Sequence, residues 1–213
     1  MRTEELVDLL AAGGGTVDGK PLWLRFGVAA GAGVIVAAVL MLALLGVRAD
    51  LRFALAQPMF WLKVVFAALV ALAGLAAASR LSRPGMKLAG SSAALAAPVL
   101  AVWALAAFAL IDAEPGSRAA LILGRTWTTC PYLIAVLSVP AFTAIVWAMK
   151  GFAPTRMRLA GAIAGFAAGA LGTLVYTLHC PESSAAFVAI WYVAGMLVPT
   201  LIGALIGPRV LRW

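Results

Sequence analysis

The stretch TLHCPE, residues 177–182, brings the chain's single histidine next to one of its two cysteines. Imidazole and thiolate groups are ligands for soft and borderline metal ions, and a thiolate is also the nucleophile that oxidants attack. The other cysteine, Cys130, is followed by a proline, as Cys180 is. The residues that could do chemistry are therefore two thiols and the imidazole of His179.

Other catalytic arrangements are missing from the sequence. There is no glycine-rich phosphate loop, no paired carboxylates and no serine motif with a base at hand. A CxxC motif is also missing, which argues against catalysis of disulfide exchange. We therefore expect a protein that is not an enzyme and that carries no cofactor.

The elements that position these side chains are predicted to be membrane helices. Of the 213 residues, 64% are hydrophobic and 11% charged, with a mean hydropathy of +1.05, whereas a soluble domain carries about 25% charged residues. Uncharged runs of the length that crosses a bilayer predict an all-α polytopic membrane protein, a bundle of six transmembrane helices. They cover about 24–46, 58–79, 89–111, 130–149, 158–178 and 182–206.

The distribution of Lys and Arg predicts the orientation, because cytoplasmic loops are enriched in these residues. Eleven of the sixteen lie on the side that holds both termini, which are therefore predicted to be cytoplasmic. Lys63, near the outer end of the second helix, is expected to snorkel to the interface. The net charge of +8 fits this bias and attraction to anionic membrane lipid. The scattered cations do not predict nucleic-acid binding.

In this topology Cys130 and Cys180 start the fourth and sixth helices at the outer face, in a compartment that permits disulfides. A helix N-terminus favours a thiolate, and Pro181 and Glu182 fit the first turn of the sixth helix. Three interpretations remain open: a structural disulfide, a reversible thiol or metal sensor at an exposed rim, and a metal site. The metal site would use Cys130, Cys180 and His179 with Glu182 as an extra oxygen ligand, although structural zinc usually has four strong ligands.

A cytoplasmic segment, residues 1–20, is predicted to precede the membrane domain at 21–213. Residues 1–12 predict a short amphipathic helix, and a glycine-rich joint follows it. So short a helix needs a surface, either the bilayer or a protein partner. Thr3 is the predicted N-cap, Glu4 and Glu5 fit the first turn, and Leu6, Leu9 and Leu10 share one face.

Glycines and aromatic residues predict how the helices pack. Gly161, Gly165 and Gly169 repeat at four-residue spacing and predict close approach of a neighbouring helix, as do Gly27 and Gly31 on the first helix. Aromatic residues near the helix ends are predicted to be interfacial anchors. They are Trp23, Phe60, Trp61, Trp127, Tyr132, Tyr176 and Trp191.

Several motifs together carry a family resemblance. They are TEELVDLLA at the start, RFALAQP, RLSRPG, GRTWTTCP, LAGAIAGFAAGALG, LHCPE followed by FVAIWY, and GPRVLRW at the end. Over nearly its whole length the chain resembles the six-helix inner-membrane anti-sigma factors of the NrsF type, which are negative regulators of extracytoplasmic-function (ECF) sigma factors. The joint GGGTVDG departs from the basic, proline-rich stretch that the resemblance leads us to expect.

The resemblance implies a regulator whose cytoplasmic N-terminal segment holds a SigF-like ECF sigma factor at the membrane. The family's paired cysteines correspond to Cys130 and Cys180, and a thiol or metal stress signal acting on them would release the sigma factor. The predicted contact residues are Thr3, Glu4, Glu5, Leu6, Leu9 and Leu10. The basic residues Arg80, Arg83, Arg156 and Arg158 form a candidate docking rim.

Two other classes of protein remain as alternatives. A membrane thiol oxidoreductase could pass electrons from the cysteine pair to a quinone, but it would need a second redox pair or a bound quinone. A permease for a small solute or a metal ion would need a path lined by polar groups, and the spans offer few of them.

Overall fold

The computed structural model describes residues 3–12, 22–83, 85–86, 90–150, 152 and 154–212. Within these ranges six helices are long and apolar enough to cross a membrane, which confirms the predicted all-α class and the number of spans. The spans are α2 (Leu22–Leu44), α4 (Pro58–Leu81), α5 (Ser91–Asp112), α7 (Cys130–Met149), α8 (Met157–Tyr176) and a last span, Ala185–Val210. The shorter elements are α1 (Thr3–Ala12), α3 (Leu51–Leu55) and α6 (Arg118–Leu123).

The last span is not a uniform α-helix. It consists of α9 (Ala185–Phe187), a π-helical turn (Val188–Tyr192) and α10 (Val193–Val210). A π turn leaves backbone carbonyls without their usual partners in the helix. Here the carbonyl of Ala189 accepts a hydrogen bond from Trp103 of α5 at 3.0 Å. The turn therefore contributes a hydrogen bond between α5 and the last span, in addition to the packing of α5 on α9.

Helix α8 lies at the centre of the bundle and packs on α10, α4 and α7. A methyl group added at Gly161 would overlap the carbonyl of Gly203, and one at Gly165 would overlap the carbonyl of Pro199. The predicted glycine face is therefore confirmed, because only glycine lets the α8 and α10 backbones approach this closely.

The corresponding prediction for α2 is wrong. Among the described residues, no atom outside the backbone of α2 comes within 4 Å of a methyl group added at Gly27 or Gly31. The close contact of α2 lies two residues beyond Gly31, on another face of the helix, where Gly33 packs against the backbone of Ala141 in α7. The spacing of the glycines did not reveal which face of this helix was buried.

Proline lies at the start of two spans, as predicted, but not at the start of the third. Pro58 begins α4, and Pro131 lies in the first turn of α7. Pro181, however, precedes the last span, which begins only at Ala185. Ser184 caps that start, since its hydroxyl accepts a hydrogen bond from the Phe187 N–H at 3.5 Å.

The aromatic residues divide into two groups. Trp23, Trp61, Trp127 and Tyr132 are exposed, as anchors at the interface should be. Phe60 and Tyr176 are buried instead, so the prediction that they anchor the interface is wrong. Trp191 belongs to neither group, because it is half-buried and its indole N–H donates to the carbonyl of Ile122 at 2.8 Å.

The N-terminal helix α1 covers Thr3–Ala12, within the predicted segment 1–12, whose first two residues lie outside the described ones. Because the residues before Thr3 lie outside the described ones, its role as N-cap stays a prediction. The side chains of Thr3, Glu4, Glu5, Val7 and Asp8 are exposed. The side chains of Leu6, Leu9 and Leu10 and the predicted joint at 13–20 lie outside the described residues.

Candidate functional site

The two cysteines meet at the end of the bundle where α8 stops and α7 and the last span begin. Cys130 is the first residue of α7, and Cys180 lies in the segment that links α8 to the last span. Both thiols are buried and approach the side chain of Tyr176. The structure thus brings together two residues that are far apart in the chain.

Burial is the main correction to the predicted site. Both cysteines have 0% relative exposure and are present as free thiols, whereas the sequence predicted an exposed rim. Cys180 is also not at a helix N-terminus, because residues 181–184 lie between it and Ala185, where the last span begins. The favourable helix dipole therefore acts on Cys130 alone. A reagent reaches these thiols only if the surrounding segment opens.

The backbone around Cys180 is held by two basic side chains. Lys63 of α4 donates from Nζ to the carbonyl of Cys180 at 3.2 Å and to that of Glu182 at 2.7 Å. Arg48 donates to the Cys180 carbonyl at 3.0 Å. Lys63 is 1% exposed, so the prediction that it snorkels to the interface is wrong: it turns inward because a segment without regular structure offers it carbonyl oxygens.

Arg48 is held in turn by Asp50. The guanidinium donates to both carboxylate oxygens, at 2.7 and 2.6 Å. These hydrogen bonds hold the pKa of Asp50 below its ordinary value and raise the pKa of Arg48. The carboxylate therefore stabilises the fold at pH values above its ordinary range, and this contribution is lost as the pH falls through the lowered pKa. The pair is intact at neutral pH.

The chain reaches this position because of the turn after α2. Gly46 has φ of +72°, the left-handed conformation that ends many helices, and its N–H donates to the carbonyl of Met41 at 3.0 Å. The N–H of Arg48 then donates to the Leu178 carbonyl at 3.2 Å. The loop after α2 is thus fastened along the segment that carries Cys180.

Glu182 fastens the same segment to the loop before α7. Its Oε1 accepts hydrogen bonds from the backbone N–H groups of Arg125 at 2.8 Å and Thr126 at 3.2 Å. The Thr126 hydroxyl donates to the same oxygen at 3.2 Å. The prediction of Glu182 in a helical first turn is wrong, because the last span begins only at Ala185. The carboxylate instead accepts hydrogen bonds from the turn before α7.

His179 points away from a metal-binding arrangement. Its Nδ1 donates to the carbonyl of Gly46 at 2.9 Å, and its ring lies 5.8 Å from that of Tyr176. Among the described residues, no group of three or more His, Cys, Asp and Glu side chains is close enough to hold a metal ion. The structure therefore does not bring His179 together with the two cysteines as metal ligands.

The structure also adds residues that the sequence did not predict for the site. Tyr192 of the π turn is 0% exposed and approaches Cys180, and within the described part of the chain its hydroxyl has no hydrogen-bond partner. Arg48 and Lys63 complete the surroundings. Lys63 could have been found from the sequence, because a cation inside a membrane span is usually functional. Nothing in the sequence pointed to Tyr192.

The candidate docking rim lies at the opposite end of the bundle and is divided between two clefts. Arg80 and Arg83 line a cleft of 360 Å³ with Leu22, Trp23, Ser79 and Met86. Arg156 and Arg158 line another of 430 Å³, next to Pro208. All four side chains are exposed. Two basic clefts thus lie at the ends of helices that reach the cysteine pair.

Comparison with known proteins gives the chain its family. The family described as "Negative regulator of sigma F" (NrsF) matches residues 10–213. A protein of Azospira oryzae named probable anti-sigma-F factor NrsF is 53% identical over 213 residues, with both chains covered in full. The anti-sigma-F factor NrsF of Caulobacter vibrioides is 40% identical over 220 residues, again with full coverage. No solved structure matches the chain. The chain belongs to the NrsF family of negative regulators of sigma F.

Proposed function

We propose that this protein is an anti-sigma factor of the bacterial inner membrane. It binds a SigF-like ECF sigma factor at the cytoplasmic face and releases it when a thiol or metal stress signal acts on Cys130 and Cys180. The observation that carries the proposal is the full-length similarity to two proteins named anti-sigma-F factors. The six spans support a location in the membrane.

Helix α1 is the proposed sigma-binding element. Glu4, Glu5 and Asp8 are exposed on it and make it acidic, so it should prefer a basic protein surface to anionic lipid. Leu6, Leu9 and Leu10 supply the apolar face for a groove in the partner. The clefts lined by Arg80, Arg83, Arg156 and Arg158 complete the proposed docking surface.

The cysteine pair is the proposed receiver of the signal. Because both thiols are fully buried, a group bound to sulfur, or the shift needed to join the two sulfurs, must displace the packing around them. In joining, each thiol gives up a proton and an electron to the oxidant. The spans then move as rigid bodies, and the cytoplasmic surface loses affinity for the sigma factor.

The signal must change the affinity of the regulator substantially. Raising the released fraction from 1 to 99 parts in a hundred needs about 5.5 kcal/mol of difference in binding between the two states. Displacing the buried segment around Cys180 would break hydrogen bonds to charged groups, each of which contributes about 1.5–3 kcal/mol. The free energy of these hydrogen bonds is therefore of the order that release requires.

Copurification from detergent tests the binding. We expect the full chain to retain the cell's sigma factor and the chain without residues 1–12 to lose it. The matched pair Asp8→Lys and Glu114→Lys reverses one exposed acid on α1 and one after α5, and only Asp8→Lys should weaken retention. Failure of the full chain to retain a sigma factor that the cells contain would contradict the proposal.

The cysteine pair has its own test. Cys130→Ser/Cys180→Ser should retain the sigma factor at rest and should not release it under thiol stress. Release at the wild-type level from this double variant would show that the signal enters elsewhere.

A further inference from the structure

Lys63 is a basic side chain buried within a membrane span, and it contacts the segment that carries a cysteine. It belongs to α4 and is 1% exposed, and Nζ donates to the carbonyls of Cys180 and Glu182. Burial of an amine at membrane depth is unfavourable, so a lysine in such a position usually has a structural or functional role. Its acceptors lie on either side of Pro181, so the role of Lys63 is in holding this segment.

The segment depends on these polar contacts because it has no helix of its own. Residues 180–184 have no regular secondary structure, and the Cys180 carbonyl accepts from both Lys63 and Arg48. A displaced segment would leave the Lys63 amine buried without acceptors. A cleft of 290 Å³ lined by Arg48, Gln57, Lys63 and Ser183 adjoins it, so the lysine and the segment have space to separate.

Helix α4 links this end of the bundle with the opposite end. It packs tightly on α8 where Gly74 meets Ala167, so it is expected to move as a rigid body. Its 24 residues span about 36 Å at 1.5 Å per residue. Near its far end Arg80 and Arg83 line the basic cleft. A shift at Lys63 therefore changes the position of that cleft.

We propose that Lys63 is a positioning residue that keeps Cys180 in its buried site. Through it, α4 carries a displacement of the Cys180 segment to the cleft lined by Arg80 and Arg83. The second part rests on the proposed function, because it makes α4 the helix that turns a change at the thiol into release of the sigma factor.

The first test measures how fast a maleimide reacts with each cysteine of the purified full-length protein, with the two sites resolved by mass spectrometry. Lys63→Met should speed the reaction at Cys180 at least about tenfold, because loss of a charged buried hydrogen bond favours local opening. Lys63→Arg should lie closer to wild type. Lys150→Met, the same change at an exposed lysine of the opposite end, should change nothing. An unchanged Cys180 rate in Lys63→Met overturns the proposal.

A second test needs no variant and so does not depend on Lys63→Met folding. In the wild-type protein an amine-acylating reagent should modify Lys150 and spare Lys63. After Cys180 has reacted with maleimide, Lys63 should become reactive. Equal protection of Lys63 before and after reaction at Cys180 would overturn the proposal.

Retention of the sigma factor tests the second part. Lys63→Met should release it without any stress signal, whereas Lys150→Met should not. Faster labelling of Cys180 with wild-type retention would exclude α4 as the route. If the wild-type chain binds no sigma factor, the proposed function fails, and the labelling still decides whether Lys63 positions Cys180.

Discussion

At the scale of single residues, the polar side chains around Cys180 act mostly on backbone groups. Lys63 and Arg48 donate to carbonyl oxygens, and Glu182 accepts from backbone N–H groups. Buried backbone groups outside helices need partners, and in a chain with 11% charged residues few side chains can serve. Charged side chains therefore supply hydrogen-bond partners for the backbone of this segment, as the helix itself does for the backbone of each span.

Glu182 gives a prediction at this scale. Glu182→Ala removes one acceptor shared by three donors and should lower the free energy of unfolding by about 2–3 kcal/mol, while Glu182→Gln should cost about 1 kcal/mol because it keeps a neutral acceptor. Thermal unfolding in detergent measures the effect. Glu114→Ala, at an exposed acid on a neighbouring loop, is the control. Equal midpoints for Glu182→Ala and the control would mean that these hydrogen bonds contribute little.

At the scale of helices, the contact between α8 and α10 decides how the bundle packs. Its closest approaches are made where glycines of α8 meet backbone atoms of α10. No other side chain would let two backbones come so near, and dispersion contacts between them replace the hydrophobic effect, which is weak between helices in lipid. The arrangement at the cysteine pair depends on this contact, because Cys130, Tyr176 and Tyr192 belong to α7, α8 and the last span.

A pair of glycine substitutions tests this contact. Gly165→Ala should destabilise the protein by about 1–3 kcal/mol, because the added methyl group overlaps the carbonyl of Pro199. Gly31→Ala, in open surroundings on α2, should be neutral or stabilise by up to about 1 kcal/mol through helix propensity. The unfolding midpoint of Gly165→Ala in detergent should therefore lie below that of wild type, and the midpoint of Gly31→Ala should equal or exceed it. Equal midpoints would contradict the close packing.

The helices were largely predictable from the sequence, and the candidate site was predictable only in part. Long apolar runs specify spans, and regular glycine spacing identified the buried face of α8. Which face of α2 is buried, how deep Lys63 lies and that Glu182 accepts from a distant loop all depend on which helices become neighbours. A single sequence carries little information on such contacts, so it indicated that Cys130 and Cys180 lie at the same end of the bundle but not which side chains hold the Cys180 segment.

At the scale of the whole molecule, two ends with different properties are joined by six spans. One end carries buried thiols and a segment held by charged side chains. The other carries exposed arginines in two clefts. Signal and response in the proposed mechanism are thus separated by the thickness of the bilayer, and packed helices are the connection between them.

The orientation of the molecule in the membrane, with both termini in the cytoplasm, can be tested separately. Reporter domains fused after Trp213 should be active only if they work in the cytoplasm, and those inserted near Glu114 only if they work outside it, because Lys and Arg accumulate on the side of the termini. The comparison of a fluorescent protein with alkaline phosphatase at both sites measures this. The reverse pattern would put the cysteine pair on the cytoplasmic side and contradict the proposed direction of signalling.

The central position of α8 also affects how the protein is made. Of the six spans in the described ranges, α8 has the lowest mean hydropathy and the largest buried share. A glycine-rich segment of this kind partitions weakly into lipid by itself. Its stable insertion therefore depends on neighbours that can cover it, and α10, its most extensive partner, is synthesised after it. Until α10 emerges from the ribosome, α8 has an uncovered glycine face, and a protein truncated before α10 should be recognised by membrane quality control.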